Sequence, residues 1–298
     1  MSGNNGRGIT NRDIFGEVRV EGVTKKYEKE GQCQTVLEEC SLHVQRGKLT
    51  VLMGPSGCGK TVLINLIAGY EKPTAGRVYI DDTPVTGPGR DRLVVFQETA
   101  LFPWMTVYSN VTFGCRAQGI SRGETKERAE LILKKVGLYE FRDKYPTQLS
   151  GGMQRRAELA RAMINDPKIM ILDEPFRGLD AMTRQLMQGF YVGLFEEIGR
   201  TNFFVTHEVD EAIFLADRLV IMTFQPGKVK AEIDIDLPRP RDVRMLASAR
   251  FMEIRGQAID LLYEEAAKAF SAGSKTAYDL MGALVAQKGA CNCLDDKK

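Results

Sequence analysis

The run Gly54-Pro55-Ser56-Gly57-Cys58-Gly59-Lys60-Thr61 constrains the fold of this chain more than any other stretch. It fits GxxxxGK[ST] in full, and its surroundings give the pattern meaning. The brief apolar run Leu49–Met53 precedes it, and Thr61–Gly69 follows with a helical pattern. Strand, glycine-rich loop and helix together make a phosphate cradle. The loop Gly54, Pro55, Ser56, Gly57, Cys58 and Gly59 is expected to wrap phosphate oxygens with its backbone N–H groups, Pro55 having none and contributing only shape. Lys60 is expected to neutralise the β and γ oxygens, and the Thr61 hydroxyl to coordinate Mg²⁺.

A loop of this kind sits on a parallel sheet, and the remaining apolar runs supply one. Lys168–Leu172, Asn202–Thr206 and Leu219–Met222 are short and apolar, with helical segments between them. That alternation predicts a mostly parallel α/β sheet. Residues 17–23, 40–46 and 77–81 predict short antiparallel strands near the N-terminus. Residues from about 98 to 165 read as a helical insert between two core strands. Within it, residues 121–138 form an amphipathic helix opened by Ser121 and Glu124.

Leu237-Pro238-Arg239-Pro240-Arg241 breaks the regular pattern. Beyond it, Met245, Leu246, Phe251, Met252, Ile254, Ile259 and Leu262 are expected on one helical stripe. A second helix, Tyr278–Gln287, is expected after a Ser/Gly link. The chain thus divides into a flexible polar tail (1–16), a nucleotide-binding domain (17–240) and a C-terminal helical extension with a polar tail (241–298).

Composition excludes some roles. With 41 basic and 39 acidic side chains the net charge is +2, so no global field draws the chain to nucleic acid or anionic lipid. No apolar run approaches bilayer-spanning length, and the polar start is neither a signal peptide nor an anchor. The cysteines at 33, 40, 58, 115, 291 and 293 form no CxxC pair, and there are two histidines. Free thiols in a reducing cytosol are expected rather than a zinc site.

The remaining chemistry gathers at strand ends. Ile169–Leu172 runs into Asp173 and Glu174, which places two carboxylates at the edge where parallel sheets bind ligands. Asp173 suits Mg²⁺ held through water. Glu174 suits a general base that positions water for attack on a γ-phosphate. Gln97 ends the run Leu93–Phe96, read as buried, and its amide suits Mg²⁺ or the attacking water. His207 follows Phe203–Thr206 and suits γ-phosphate contact.

Leu149-Ser150-Gly151-Gly152-Met153-Gln154 precedes a helix expected over Met153–Met163. The Ser150 hydroxyl and the bare N–H groups of Gly151 and Gly152 make a second anion site at a helix N-terminus. Two phosphate sites with one nucleotide motif set point to two chains sharing two nucleotides. Asp180, six residues past Glu174, is placed to reach a neighbouring subunit's phosphate loop.

The order and spacing of the phosphate loop, Gln97, the LSGGM run, Asp173-Glu174, Asp180 and His207 resemble those of ATP-binding-cassette ATPases, over about residues 17–240. The resemblance implies a P-loop NTPase core of mainly parallel sheet, with an N-terminal antiparallel β subdomain and an inserted helical subdomain. It implies a head-to-tail dimer enclosing two ATP, each site using one chain's phosphate loop and the other chain's Ser150 and Gly152. It also casts Tyr27 as the aromatic that stacks on adenine, against the alternative of a core strand tyrosine.

Gly87-Pro88-Gly89-Arg90-Asp91-Arg92 leading into Leu93–Gln97, then Leu101-Phe102-Pro103-Trp104, is similar to the ATPase subunits of nitrate, taurine, sulfonate and bicarbonate importers. Pro226-Gly227-Lys228 and the run from Leu237 to Asp242 share the likeness. That resemblance implies a peripheral subunit on the cytoplasmic face of the inner or plasma membrane. It would power separate transmembrane permease subunits, beside an identical or related second ATPase subunit and, indirectly, a substrate-binding protein. No nucleic acid partner is implied. Pro103, Trp104 and Met105 then either line the groove for a permease helix, or Trp104 fills the helical subdomain's own core. The rival readings are a soluble cassette ATPase acting on ribosome or DNA, and an exporter subunit.

Two residues depart from the family pattern. Val62 stands where a hydroxyl usually reaches the α-phosphate, which predicts modestly weaker ATP binding. Arg177 stands where a small residue is common. It reads as a solvated surface residue, with pairing across the dimer as the alternative.

Overall fold

The structure, a computed structural model, describes residues 15–29 and 32–272. In chain order its elements are β1 (Val18–Lys29), β2 (Gln32–Val44), β3 (Leu49–Met53), α1 (Lys60–Ala68), β4 (Ala75–Ile80), β5 (Thr83–Pro84), β6 (Arg92–Val95), α2 (Val107–Ala117), α3 (Arg122–Lys135), α4 (Gly151–Met163), β7 (Ile169–Asp173), α5 (Ala181–Ile198), β8 (Thr201–Val205), α6 (Val209–Leu215), β9 (Arg218–Met222), β10 (Val229–Asp234) and α7 (Ala249–Ser271).

Six strands form the central sheet in the order β10-β9-β3-β8-β7-β6. Its members pair in parallel except β10, which runs antiparallel to β9. Strands β3, β7 and β8 are buried along their whole length. That is why they read as continuous apolar runs rather than alternating ones. A second, antiparallel sheet has the order β2-β1-β4-β5.

The N-terminal strands are longer than expected: 12 residues for β1 and 13 for β2. Register shifts after Val20, Val23 and Lys25 interrupt the period of two that marks a half-buried strand. The outer half of β2 is also largely exposed, so it carries no apolar alternation to read.

Three apolar clusters hold the fold. One lies between the two sheets and α1, with Val18, Val44, Leu63, Ile67, Phe203 and Val205. A second, on the other face of the central sheet, joins β3, β7, β8 and β9 to α5, α6 and α7. The third belongs to the helical insert, where Val111, Leu133 and Ala157 meet. The α3 helix begins as expected, with the Ser121 hydroxyl accepting from the Glu124 N–H at 3.3 Å.

The C-terminal stripe needs correction. Phe251, Ile254, Ala258, Ile259, Leu262, Ala266 and Ala269 are the buried face of α7, while Met252 is exposed. One residue past Phe251 lies about 100° around the helix, away from the core. Met245 and Leu246 sit in a separate 3₁₀ turn, Val243–Ala247, because Ser248 caps a new helix and resets the phase. The proline-rich run before it is an ordered strap. The Arg239 guanidinium donates to Asp217, Glu196 and the Leu215 carbonyl, each at 2.9 Å.

Phe15 and Gly16 are tied to the core: the Arg46 guanidinium donates to the Phe15 carbonyl at 2.8 Å, and the Thr201 hydroxyl to that of Gly16 at 2.6 Å. Residues 1–14, the expected helix Tyr278–Gln287, Cys291 and Cys293 lie outside the described residues. Among the described residues, no helix is long and apolar enough to cross a membrane.

Candidate nucleotide site

Parallel register brings the motif-bearing strand ends to one sheet edge. Leu52 of β3 and Asp173 of β7 both lie beside Val205 of β8. The phosphate loop, the Asp173-Glu174 pair and His207 therefore leave the sheet together, at the carboxyl edge where open α/β sheets bind ligands.

The loop is drawn too tight for side chains at two of its glycines. A Cβ on Gly54 would stand 2.7 Å from Cys58 Sγ, and one on Gly59 2.7 Å from Leu37 Cδ2. Gly59 also holds φ at +96°, a left-handed conformation that favours glycine. Lys60 is buried, and its ammonium donates to the carbonyls of Gly54 at 2.8 Å and Pro55 at 3.1 Å. No side chain caps the first turn of α1, so its N–H groups remain available as anion donors. Burial pushes the Cys58 thiol pKa up, which keeps it a packing residue.

The Thr61 hydroxyl lies close to the Asp173 carboxylate. Burial, and then the neighbouring Glu174 charge, push the Asp173 pKa up; Lys60, His207 and Thr61 oppose this. A hydroxyl and a carboxylate side by side suit nucleotide-bound Mg²⁺, whose remaining ligands are phosphate oxygens and water. Gly54 and Gly59 let the loop close up against Cys58 and Leu37. The residues fit both ATP and its metal.

Glu174 occupies a left-handed backbone position, φ +44°, with its N–H donating to the Val205 carbonyl at 2.9 Å. Its carboxylate meets the His207 Nε2 atom on one oxygen and Arg177 Nη1 at 3.0 Å on the other. Burial alone drives the Glu174 pKa up. Hydrogen bonds and charge from His207, then from Arg177, outweigh it, and the net displacement is downward. Arg177 is on the surface, as the sequence suggested, but it is not an isolated side chain. It is 58% exposed, yet bound to the carboxylate three residues back.

Gln97 follows β6, an edge strand. Leu93 and Val94 are half-buried and Phe96 is 43% exposed, which corrects the expectation of a buried Leu93–Phe96 run. The loop is instead clamped by α4. Arg155 donates to the carbonyls of Phe96 at 2.8 Å and Gln97 at 2.5 Å, Glu158 accepts from the Ala100 N–H at 2.5 Å, and Arg161 donates to the Ala100 carbonyl at 2.8 Å. Sequence reasoning missed this clamp. The Arg155/Glu158 spacing was visible, but which helix face turned inward was not.

Gln97, Glu98, Gly151, Gln154, Arg177 and Leu179 border one open cleft of about 560 Å³. Its far wall begins α4, which starts at Gly151, two residues earlier than expected, because Ser150 caps it and accepts from the Met153 N–H at 3.3 Å. Asp180 caps α5 in the same way, accepting from Thr183 at 3.0 Å. A Cβ on Gly152 would lie 3.1 Å from Thr183 Cγ2, so the two caps are neighbours. Neither Ser150 nor Asp180 is hydrogen-bonded to Lys60, Glu174 or His207 within the chain.

Neither Tyr27 nor Trp104 fills a core. Tyr27 is 36% exposed and does not fill a core; its hydroxyl donates to Glu71 at 2.5 Å, and the Lys25 ammonium stands 4.8 Å from its ring centre. Burial, then Glu71, push the Tyr27 pKa up to about 12. Trp104 is 70% exposed and lies 5.6 Å from Phe102, outside the apolar cluster of the helical insert. Val62 is half-buried against the inter-sheet core.

Phosphate loop, buried lysine, Mg²⁺-competent pair and carboxylate–histidine pair define a P-loop ATPase. Comparison with known proteins narrows the class. The pattern of the ABC transporter family matches residues 37–177. An uncharacterized ABC transporter ATP-binding protein of Methanocaldococcus jannaschii is 46% identical over 252 residues, 85% of this chain and 93% of its own length. A taurine import ATP-binding protein of Pseudomonas aeruginosa is 42% identical over 219 residues, 74% of this chain and 83% of its own length. A solved dimeric ATP-binding cassette in a post-hydrolysis state, bound to ADP and Pi, superposes with a TM-score of 0.65 at 32% identity, covering 74% of this chain and all of that one. The chain belongs to the ATP-binding subunits of ABC transporters. It binds ATP with Mg²⁺ and hydrolyses it.

Proposed function

We propose that this ATPase drives a membrane importer for a small anionic solute of the taurine, sulfonate, nitrate or bicarbonate class. The observation that carries the enzymatic half is the convergence of Lys60, Thr61, Asp173, Glu174 and His207 at one sheet edge. The likeness to proteins named for taurine import supports the transport half.

In this reading residues 54–61 wrap the ATP phosphates and Lys60 turns from its carbonyl partners to the β and γ oxygens. Thr61, Asp173 and Gln97 would hold Mg²⁺, which would neutralise phosphate charge. Glu174 orients a water and takes its proton as the water oxygen attacks the γ-phosphorus and ADP leaves. His207 steadies Glu174 and faces the γ-phosphate. Tyr27 stacks on adenine.

Ser150, Gly151, Gly152 and Asp180 serve the nucleotide of a second ATPase subunit, because their own chain leaves them unjoined to its phosphate loop. Permease subunits dock beside the clamped Gln97 loop. There a hollow of about 370 Å³ is lined by Leu93, Phe96, Phe102, Phe113 and Arg161, with Trp104 exposed nearby. A substrate-binding protein acts on the far side of the membrane, and this subunit sits on its cytoplasmic face.

Co-expression with a candidate permease pair tests the reading. Co-purification through Phe102 and Trp104, lost on Trp104→Glu, together with ATP-dependent uptake of taurine or a related anion into vesicles, is expected. Stable ribosome or DNA association without permease binding contradicts it.

A further inference from the structure

Both oxygens of the Glu174 carboxylate are engaged, and the two donors differ in kind. His207 leaves the end of β8 beside Glu174 and is mostly enclosed, with its side chain 26% exposed. Arg177 closes a turn on Glu174, its N–H donating to the Glu174 carbonyl at 3.1 Å, and sends its guanidinium back to Oε2 at 3.0 Å. The guanidinium also borders the cleft shared by Gln97, Glu98 and Gly151.

We propose that Arg177 is a positioning residue of the hydrolytic reaction, holding the Glu174 carboxylate in reserve through Oε2 until the cleft closes. The inference rests on Glu174 as the group that orients water. That group needs a carboxylate lone pair turned toward the water's hydrogen. With Oε1 on His207 and Oε2 on Arg177, a water must share an oxygen that already has a partner.

Orientation does not require the second contact. The left-handed turn at Glu174 and the His207 contact already fix where the side chain points. Arg177 is also the donor able to leave. Its guanidinium is largely exposed, so solvent weakens the pair even though the Glu174 carboxylate is buried. Glu98 borders the same cleft and offers the guanidinium another carboxylate acceptor.

Steady-state ATP hydrolysis by the full chain tests the proposal, using Arg177→Ala, Arg177→Lys, Glu174→Gln and the Arg177→Ala/Glu174→Gln double variant. Removing the latch is expected to raise kcat roughly two- to fivefold, the scale of one exposed ion pair, with KM for ATP unchanged. Arg177→Lys keeps a cation at Oε2 and is expected to stay near the wild-type rate. The gain is expected to vanish in the Glu174→Gln background. A lower or unchanged kcat in Arg177→Ala overturns the proposal, because it makes Arg177 an aid to catalysis or a bystander. Full turnover by Glu174→Gln alone would instead remove the water-orienting role from Glu174, which separates failure of that reading from failure of the latch.

Discussion

Arg155 and Glu158 pair at 2.6 Å inside the junction between α4 and the Gln97 loop, with both side chains almost wholly buried. The pair couples two parts of the site. Arg155 grips the carbonyls of Phe96 and Gln97, while Glu158 grips the Ala100 N–H. The Gln97 loop and the helix that Ser150 opens are therefore tied by their backbones and are expected to move as one body.

Glu158→Ala should be costly. It leaves a buried guanidinium without its carboxylate, and breaking such a pair costs about 3–5 kcal/mol. Equilibrium urea unfolding is expected to show a loss of that size, with ATPase activity falling as the Gln97 loop loosens. A loss under about 1 kcal/mol, the exposed-pair range, would contradict the clamp.

Gly59→Ala tests the phosphate cradle. The new Cβ meets Leu37 Cδ2 at 2.7 Å and the backbone stays at φ +96°, a strain of about 1–3 kcal/mol. The variant is expected to fold with a lowered melting temperature and to bind a fluorescent ATP analogue at least tenfold more weakly. Affinity equal to wild type would mean that the loop does not hold phosphate as described.

Val62→Thr restores the hydroxyl that the loop lacks. Val62 is half-buried at the edge of the inter-sheet core, so the change is tolerated. One added hydrogen bond contributes about 0.5–1.5 kcal/mol, a few-fold in affinity. Calorimetric titration with ATP is the check, and an unchanged dissociation constant rejects the idea.

The C-terminal helix carries an acid-sensitive anchor. Burial pushes the Glu265 pKa up, but Lys268, the Phe224 N–H and Lys230 outweigh it and the net shift is downward. Lys230 also pairs with Glu264 at 2.5 Å. A carboxylate with a depressed folded pKa adds stability that is full above its unfolded value, about 4.3, and is lost as pH falls through the folded value. Thermal unfolding followed from pH 7 downward should therefore steepen its decline below about pH 4. Glu265→Gln should be less stable at neutral pH and show a shallower acid slope; an identical slope would remove Glu265 from the account.

What was legible in the sequence follows from the range of each signal. The phosphate loop, Asp173-Glu174 and His207 were readable because each is a few residues following a wholly buried strand, and parallel pairing aligns those strand ends. The Ser150 and Asp180 caps were readable as positions, though not as caps. The contact of Arg177 with Glu174 was not legible because nothing local says that a residue in an irregular turn folds back onto its own i−3 carboxylate. Trp104 remained ambiguous because an aromatic in a helical insert has the same local signature whether it faces the core or water. The full lengths of β1 and β2 were hidden by register shifts that erase the alternating pattern.

Glu174, held by His207 at the edge shared with Thr61 and Asp173, is proposed to orient the water that cleaves ATP. Measuring ATP affinity and single-turnover hydrolysis on Glu174→Gln tests it most directly. The amide keeps the side chain's size but cannot take a proton at neutral pH. Binding within about twofold of wild type and a rate lowered by about 10²–10⁴ are expected. Hydrolysis at the wild-type rate with intact binding would contradict the account.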